Sequence, residues 1–326
     1  MMGPHPAVAD VRRAIRASLS DLDKGSLVLA ACSGGADSLA LAACLGFVAP
    51  RLGLRAGLVT VDHALQPGSR SRADDLVRLA PGLGLDSYSE AVTVEVGTLG
   101  GPEAAARIAR YAALDEVSAR LGAVILLGHT RDDQAETVLL RLARGSGSRS
   151  LSGMAEVSGV YRRPLLGVSR TRTEEACEAL GLSPWHDPHN DDPRFTRVKV
   201  RQILLPLLES ELGPGIADAL ARTARLCRDD ADALDDWADR VYAEARDLGT
   251  GLSTALLAEL PAAVRRRVIH RAAVAAGSPP SALAAVHIEE AERLITSWTG
   301  QKGVDLPGGV GVVRRYGRLM FTSSLS

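Results

Sequence analysis

"LAACSGGADSLALAA", residues 29–43, decides the fold of this chain. Apolar and small residues run into Ser33-Gly34-Gly35-Ala36-Asp37-Ser38, and apolar residues then resume at helical spacing. This is the pattern of a strand, a tight glycine turn and a helix. At such a joint the first N–H groups of the helix point outward and carry partial positive charge, so they receive anions. Gly34 and Gly35 let the backbone approach an oxyanion closely, and Ser33 and Ser38 bring hydroxyl donors. The lysine of a G-x-x-x-x-G-K-[ST] loop is absent, and so is G-x-G-x-x-G. Asp37 is out of place beside an anion unless a divalent cation accompanies it.

The flanking sequence repeats the same rhythm. A basic helix is expected over roughly 6–20, then strands at 26–32, 56–62, 91–96 and 123–129. Helices are expected between and after them, at 36–46, 70–82, 102–122 and 132–144. Pro102 suits a helix start and Gly145 a helix end. Alternating strands and helices argue for an α/β, doubly wound, mainly parallel sheet. Beyond about residue 145 the texture changes. Residues 145–153 read as a flexible loop, 160–167 as one more strand, and 182–197 as a long polar segment rich in Pro, Asp and His. Helical patterning follows from 198 to 248, with breaks at Pro206 and at Gly213-Pro214-Gly215. A domain boundary is therefore expected near 213, giving a catalytic domain over 1–212 and a smaller, mostly helical domain over 213–326. The tail, 303–321, reads as a short β hairpin.

Bulk composition sets limits. The chain has 326 residues, enough for two cores. Formal net charge is −1, so no global field draws nucleic acid, and any such contact must be local. Aromatics are only 3% of residues. Four cysteines, at 32, 44, 177 and 227, form no C-x-x-C pair, so no zinc ribbon is signalled. No apolar leader or membrane-length apolar run is present, which points to a reducing, cytoplasmic compartment with no membrane partner. Oligomeric state is left open, a homodimer included.

Three further stretches carry chemistry. Asp62 and His63 fall at the carboxyl end of the second strand, where open α/β sheets bind ligands. Arg107 and Arg110 are three apart on the 102–122 helix, beside Tyr111. "GHTRDDQAET" (128–137) crowds His129, Asp132, Asp133 and Glu136 onto one strand end and one helical turn, on the same sheet edge as the glycine loop. Acidic residues at a helix start complement its dipole, but here they converge near an anion site, which favours a metal ion or proton transfer.

S-G-G-x-D-S resembles the pyrophosphate loop of the N-type ATP pyrophosphatases, which cleave ATP between the α- and β-phosphates and adenylate an oxygen of their substrate. With V-D-H (61–63), H-x-x-D-D-x-x-E-T (129–137), R-G-S-G (144–147), R-P-L-L (163–166) and L-L-P (204–206), the chain resembles the tRNA(Ile)-lysidine synthetases over about 25–210. A D-P-x-N segment and an R-x-x-x-R pair complete the match. Here they read Asp187-Pro188-His189-Asn190, with His where Ser or Thr is usual, and Arg197 with Arg201. The tail is similar to the end of the family's substrate-binding domain. Longer members carry a further C-terminal domain that this chain is expected to lack.

The resemblance implies a ligase. The C2 oxygen of the wobble cytidine in the CAU anticodon of an isoleucine tRNA attacks the ATP α-phosphate and releases pyrophosphate. The ε-amine of free lysine then attacks C2, and AMP leaves. It implies ATP and Mg²⁺, with Ser33–Ser38, Asp62, His63, Arg107 and Arg110 on the nucleotide and Asp37 on the metal. His129 would orient the α-phosphate. Asp132, Asp133 and Glu136 would serve lysine, with Asp133 or Glu136 accepting its proton, and Asp133 an alternative metal ligand. Arg197 and Arg201 would hold tRNA, within a wider arginine-rich surface comprising Arg162, Arg163 and Arg194, then Arg265–Arg267 and Arg271, and the tail arginines 314, 315 and 318. Three rival functions remain open. A sulfur-transferring relative needs reactive cysteines, and the spacing here offers none paired. A small-molecule amide-forming enzyme would not need the arginine-rich appendage. A non-enzymatic ATP sensor would not need the acidic cluster.

Overall fold

The computed structural model describes residues 3–62, 68–92, 101–145, 147–186, 192–247 and 251–323, with backbone only for 101–104, 246 and 247. It divides into two compact units, Met1–Leu226 and Cys227–Ser326. In chain order the first runs α1 (Pro6–Ser18), β1 (Leu27–Ala31), α2 (Ala36–Val48), β2 (Arg55–Asp62), α3 (Ser69–Leu79) and β3 (Asp86–Ala91). It continues with α4 (Gly101–Leu121), β4 (Ala123–Leu127), α5 (Arg131–Leu142), α6 (Ser148–Leu151), β5 (Val157–Ser158), β6 (Tyr161–Arg162) and α7 (Arg170–Ala179). Then come α8 (Thr196–Lys199), a π-helical turn (Val200–Leu204), α9 (Leu205–Leu212) and the start of α10 (Ile216–Asp247).

Strand β1 sits inside the sheet because both its faces are apolar. Leu27 and Leu29 join a core with Leu114, Val117 and Ile125, on the side covered by α4. Val28 and Ala30 join the larger core, with Ile15 of α1, Leu41 and Leu45 of α2, Leu76 of α3 and Cys177 of α7. A strand buried on both faces reads as a continuous apolar run, the mark of a parallel sheet. The order is β3-β2-β1-β4-β6-β5, parallel except for β5 at the edge. The chain leaves β1 toward β2 and later returns to its other side as β4. The crevice between the carboxyl ends of β1 and β4 is thus the topological switch point, where ligands bind in such sheets.

Several expected elements shift. The third strand is Asp86–Ala91, not 91–96, of which 93–96 lie outside the described residues. Residues 160–167 give only the two-residue β6 and a 3-10 turn, Pro164–Gly167, because Pro164 cannot donate to a ladder. The 145–153 loop holds the short helix α6. Pro206 does not break its helix: it stands in the first turn of α9, where its missing N–H is harmless. Gly213 ends α9, and the turn before α10 lies within the first unit.

The second unit holds the rest of α10, then β7 (Leu252–Ser253), α11 (Thr254–Glu259), α12 (Ala262–Ala275) and α13 (Ala285–Thr296). Strands β8 (Val304–Leu306), β9 (Val310–Arg315) and β10 (Arg318–Ser323) follow. The expected hairpin is β9–β10, set in a four-stranded antiparallel sheet of order β7-β10-β9-β8. Val268 and Ile269 of α12, Leu294 of α13 and Val312 and Leu319 of the sheet fill its core. Among the described residues, no helix is long and apolar enough to cross a membrane.

Candidate active site

Two chain segments meet at the switch point. The first is the glycine loop between β1 and α2. Gly34 has φ +91°, a left-handed conformation that favours glycine. The Ser38 hydroxyl accepts the Ser33 N–H (3.2 Å) and donates to the Gly35 carbonyl (2.9 Å). Ser38 thereby closes the loop on itself, and Ser33 is left as the outer hydroxyl. The Trp185 N–H donates to the Gly34 carbonyl at 2.8 Å, and the Arg72 guanidinium stacks 3.2 Å from the Trp185 ring. The second segment follows β4. Gly128 lets it lie against the loop: a Cβ there would stand 3.2 Å from backbone atoms of Asp37 and Ser38.

Thr130 then caps α5. Its N–H donates to Asp133 Oδ2 at 2.8 Å, and its hydroxyl accepts the Asp133 N–H, a reciprocal capping box. This fixes Asp133 and, one turn on, Glu136. Three arginines converge on them. Arg170, at the start of α7, reaches Asp133 Oδ1 at 2.8 Å and Asp37 Oδ2 at 3.4 Å, while its backbone N–H donates to Asp132 Oδ2 at 2.8 Å. Arg197 donates through Nε to Glu136 Oε2, and Arg201 to Glu136 Oε1, both at 2.6 Å. Arg197 comes from α8 and Arg201 from the π-helical turn, and Val200 between them packs on Ala135 of α5. Thr173 of α7 also donates to Asp37.

The charges follow from this packing. Burial pushes the Asp37 carboxyl up to about 6, against the pull of Arg170 and Thr173. Burial also works to raise Asp133, but Arg170, Arg197 and the Thr130 amide outweigh it and hold the carboxyl below its usual range. His129 is pushed down to about 4, first by burial and then by Arg163, Arg197 and Arg107, despite Asp133. It is neutral near pH 7, and its Nδ1 is buried with no hydrogen-bond partner.

A cavity of about 660 Å³ opens here. Of the expected residues, Ser33, Gly35, Ala36, Asp37, Ser38, Arg110, His129, Asp133 and Arg201 line it. Gly34, Asp62, Arg107, Asp132, Glu136 and Arg197 do not. Asp62 ends β2, and Arg107 lies over the Tyr111 ring, 5.0 Å from its centre. His63 and Asp187–Asn190 lie outside the described residues. Glu136, expected to serve lysine, has no exposed surface, and both its oxygens are held by Arg197 and Arg201. Arg170 and Trp185, which no expectation singled out, both line the cavity. Arg170 lies four residues beyond the R-P-L-L motif, and nothing local ties it to carboxylates 34 to 133 residues away.

Among the described residues no three metal-ligating side chains converge. Magnesium seldom needs such a cage, since one carboxylate suffices when phosphates supply the rest. Asp37 fits that part. It is a half-buried carboxylate in an anion loop, with its charge only partly compensated.

The wider arginine surface is also corrected. Arg162 is buried and clamps Asp21, with a 2.9 Å bond from Nη2. Arg163 donates to the Ala155 carbonyl at 2.9 Å, and Arg194 pairs with Asp192 at 2.6 Å. In the second unit Arg265 and Arg266 pair with Glu292, Arg267 with Asp235, and Arg271 with Asp239. Except for Arg163, which bonds a carbonyl, these guanidiniums are paired with carboxylates.

Comparison with known proteins identifies the family. Residues 8–208 match the family described as the PP-loop domain, and residues 252–320 the TilS substrate binding domain. The tRNA(Ile)-lysidine synthase of Thermobifida fusca is 60% identical over 309 residues, 94% of this chain and 95% of that protein. The protein of the same name from Streptomyces coelicolor is 56% identical, over 98% of this chain and 99% of its own length. Among solved structures, the U34-tRNA thiolase NcsA of Methanococcus maripaludis, with its [4Fe-4S] cluster, superposes with a TM-score of 0.57 at 19% identity. It covers 68% of this chain and 80% of its own, a likeness of fold alone. By sequence, over nearly its whole length, this chain belongs to the tRNA(Ile)-lysidine synthase family.

Proposed function

We propose that the chain is an ATP-dependent ligase that joins free L-lysine to C2 of the wobble cytidine in the CAU anticodon of tRNA(Ile). The observation that carries this is the family match across both units, at up to 60% identity. The glycine loop and the start of α2 hold the nucleotide phosphates, through main-chain N–H groups and the Ser33 hydroxyl. Asp37 supplies the carboxylate for a magnesium ion carried on ATP, and that ion would neutralise charge on the phosphates. Neutral His129 offers one N–H toward the α-phosphate without adding a second charge. The cytidine oxygen attacks phosphorus, and pyrophosphate leaves. The lysine ε-amine then attacks C2, and AMP leaves with the former C2 oxygen.

Lysine arrives as an ammonium and must lose a proton first. Asp133 is the carboxylate we favour beside that ammonium, since it lines the cavity and Glu136 does not; its depressed pKa makes it an ion partner rather than the base. Glu136 instead positions Arg197 and Arg201, with Arg201 turned to the cavity. The test is product release. AMP and pyrophosphate should appear together only when ATP, tRNA(Ile) and lysine are all present. Lysine-independent turnover of AMP would count against the assignment.

A further inference from the structure

The turn between β9 and β10 carries a residue that neither backbone nor core explains. Arg315 pairs with Arg318, so the connection is two residues, Tyr316 and Gly317. Their φ angles are +51° and +71°, the left-handed pair of a type I′ hairpin turn. Asn-Gly fits that turn best, and a bulky side chain is disfavoured there. Tyr316 is the single non-glycine residue with positive φ among the described residues. Its side chain is also fully exposed, at 101%. In a chain with only 3% aromatics, this ring gains nothing from burial.

The turn is nevertheless held firmly. The Gly317 carbonyl accepts both the backbone N–H and the hydroxyl of buried Thr254, each at 2.9 Å. Arg318 donates to the Gly251 carbonyl at 2.8 Å. The ring is therefore presented from a fixed support. Cations stand on the neighbouring strand ends. Arg315 is exposed beside it. Arg314 lies 5.4 Å from the centre of the part-exposed Trp298 ring. The pairing of Val304 with Val312 places exposed Lys302 toward the same end of the sheet. The one acidic residue of these strands, Asp305, pairs with Gly311, away from the tip. An exposed aromatic with adjacent cations is the chemistry that stacks an unpaired base and neutralises its phosphate.

We propose that this hairpin tip is an RNA contact, in which the Tyr316 ring stacks on an unpaired base of the tRNA and Arg315 meets a neighbouring phosphate. The inference rests on the lysidine synthase reading, which supplies the tRNA. Two variants test it. Tyr316→Asn removes the ring and suits the turn, so its thermal midpoint should hold or rise. Its Kd for a tRNA(Ile) transcript should rise about 5- to 100-fold. Tyr316→Trp should bind as the parent does, and its added indole emission should be quenched by the transcript. An Asn variant that is equally stable and binds equally well overturns the proposal. Should that variant fail to fold, unquenched emission from the Trp variant overturns it alone. A parent protein that binds no tRNA defeats the lysidine synthase reading itself, which separates the two failures.

Discussion

Two arginine–carboxylate clusters of this molecule look alike on paper and differ in what they do. In the first unit Arg170, Arg197 and Arg201 converge on Asp133 and Glu136, and Arg170 also reaches Asp37. In the second, Arg265 and Arg266 share Glu292, Arg267 takes Asp235 and Arg271 takes Asp239. The second set ties α12 to α10 and α13. The first is built on a capping box, borders a cavity and touches the anion loop. Ion pairs alone thus say nothing about function. Shared carboxylates beside an open cavity do.

The sharpest way to break the contrast is Asp37→Asn. Loss of this carboxylate should lower ATP-dependent pyrophosphate release by about a hundredfold to a thousandfold, the range seen when one group stabilising a reacting centre is removed. The fold should persist by circular dichroism, because burial already disfavours the Asp37 charge. Near-parental release would remove Asp37 from the site.

Matched variants compare the clusters directly. Glu136→Gln strips a buried carboxylate from three arginines and Glu292→Gln from two, and such breaks cost about 3–5 kcal/mol. Both should lower the unfolding midpoint in denaturant. Only Glu136→Gln should also slow tRNA adenylation and lysine transfer together, because it releases Arg197 and Arg201. Asp133→Asn should act more narrowly. Charge-assisted hydrogen bonds to an ammonium are worth about 1.5–3 kcal/mol, so the KM for lysine should rise roughly tenfold to a hundredfold. Equal losses in adenylation and lysine use would put Asp133 with the nucleotide instead.

Salt dependence gives a smaller but clean signal. Arg315→Ala should reduce the slope of log K against log salt for tRNA binding by about one unit. Arg271→Ala should leave the slope alone, since its guanidinium is spent on Asp239 and Asp235. The pH dependence is smaller still. The folded-state pKa of His129 is depressed to about 4, so the neutral ring contributes stability that is complete above about 6.5. That contribution is lost as pH falls toward 4. Asp37 has the opposite sign: raised to about 6, it costs stability as pH rises from about 4 to 6. His129→Asn should therefore flatten the decline in midpoint between pH 6.5 and 4.

What was legible in the sequence was what local chemistry dictates. Strand β1 announces itself by burial on both faces, the anion loop by its glycines, and α5 by its cap. Strand β3 did not, because it is a partly exposed edge strand, DSYSEA, with little apolar signal. The alternating apolar residues that follow it, 91–96, carry the stronger strand signal. Sequence does not single out Arg170, and it leaves the arginines of α12 looking free, for one reason. Their partners lie 26 to 133 residues away, and only tertiary packing brings them together. Sequence spacing locates a charge, but it does not say whether that charge is free.

One measurement bears most directly on lysidine formation by this chain. Purified protein, ATP and radiolabelled lysine should be incubated with tRNA(Ile) bearing a CAU anticodon, with the methionine tRNA of the same anticodon as control. Label should be joined covalently to the isoleucine tRNA at the wobble cytidine, in proportion to AMP formed, with little on the control. ATP cleavage with that tRNA but no lysine in the product would contradict lysidine formation.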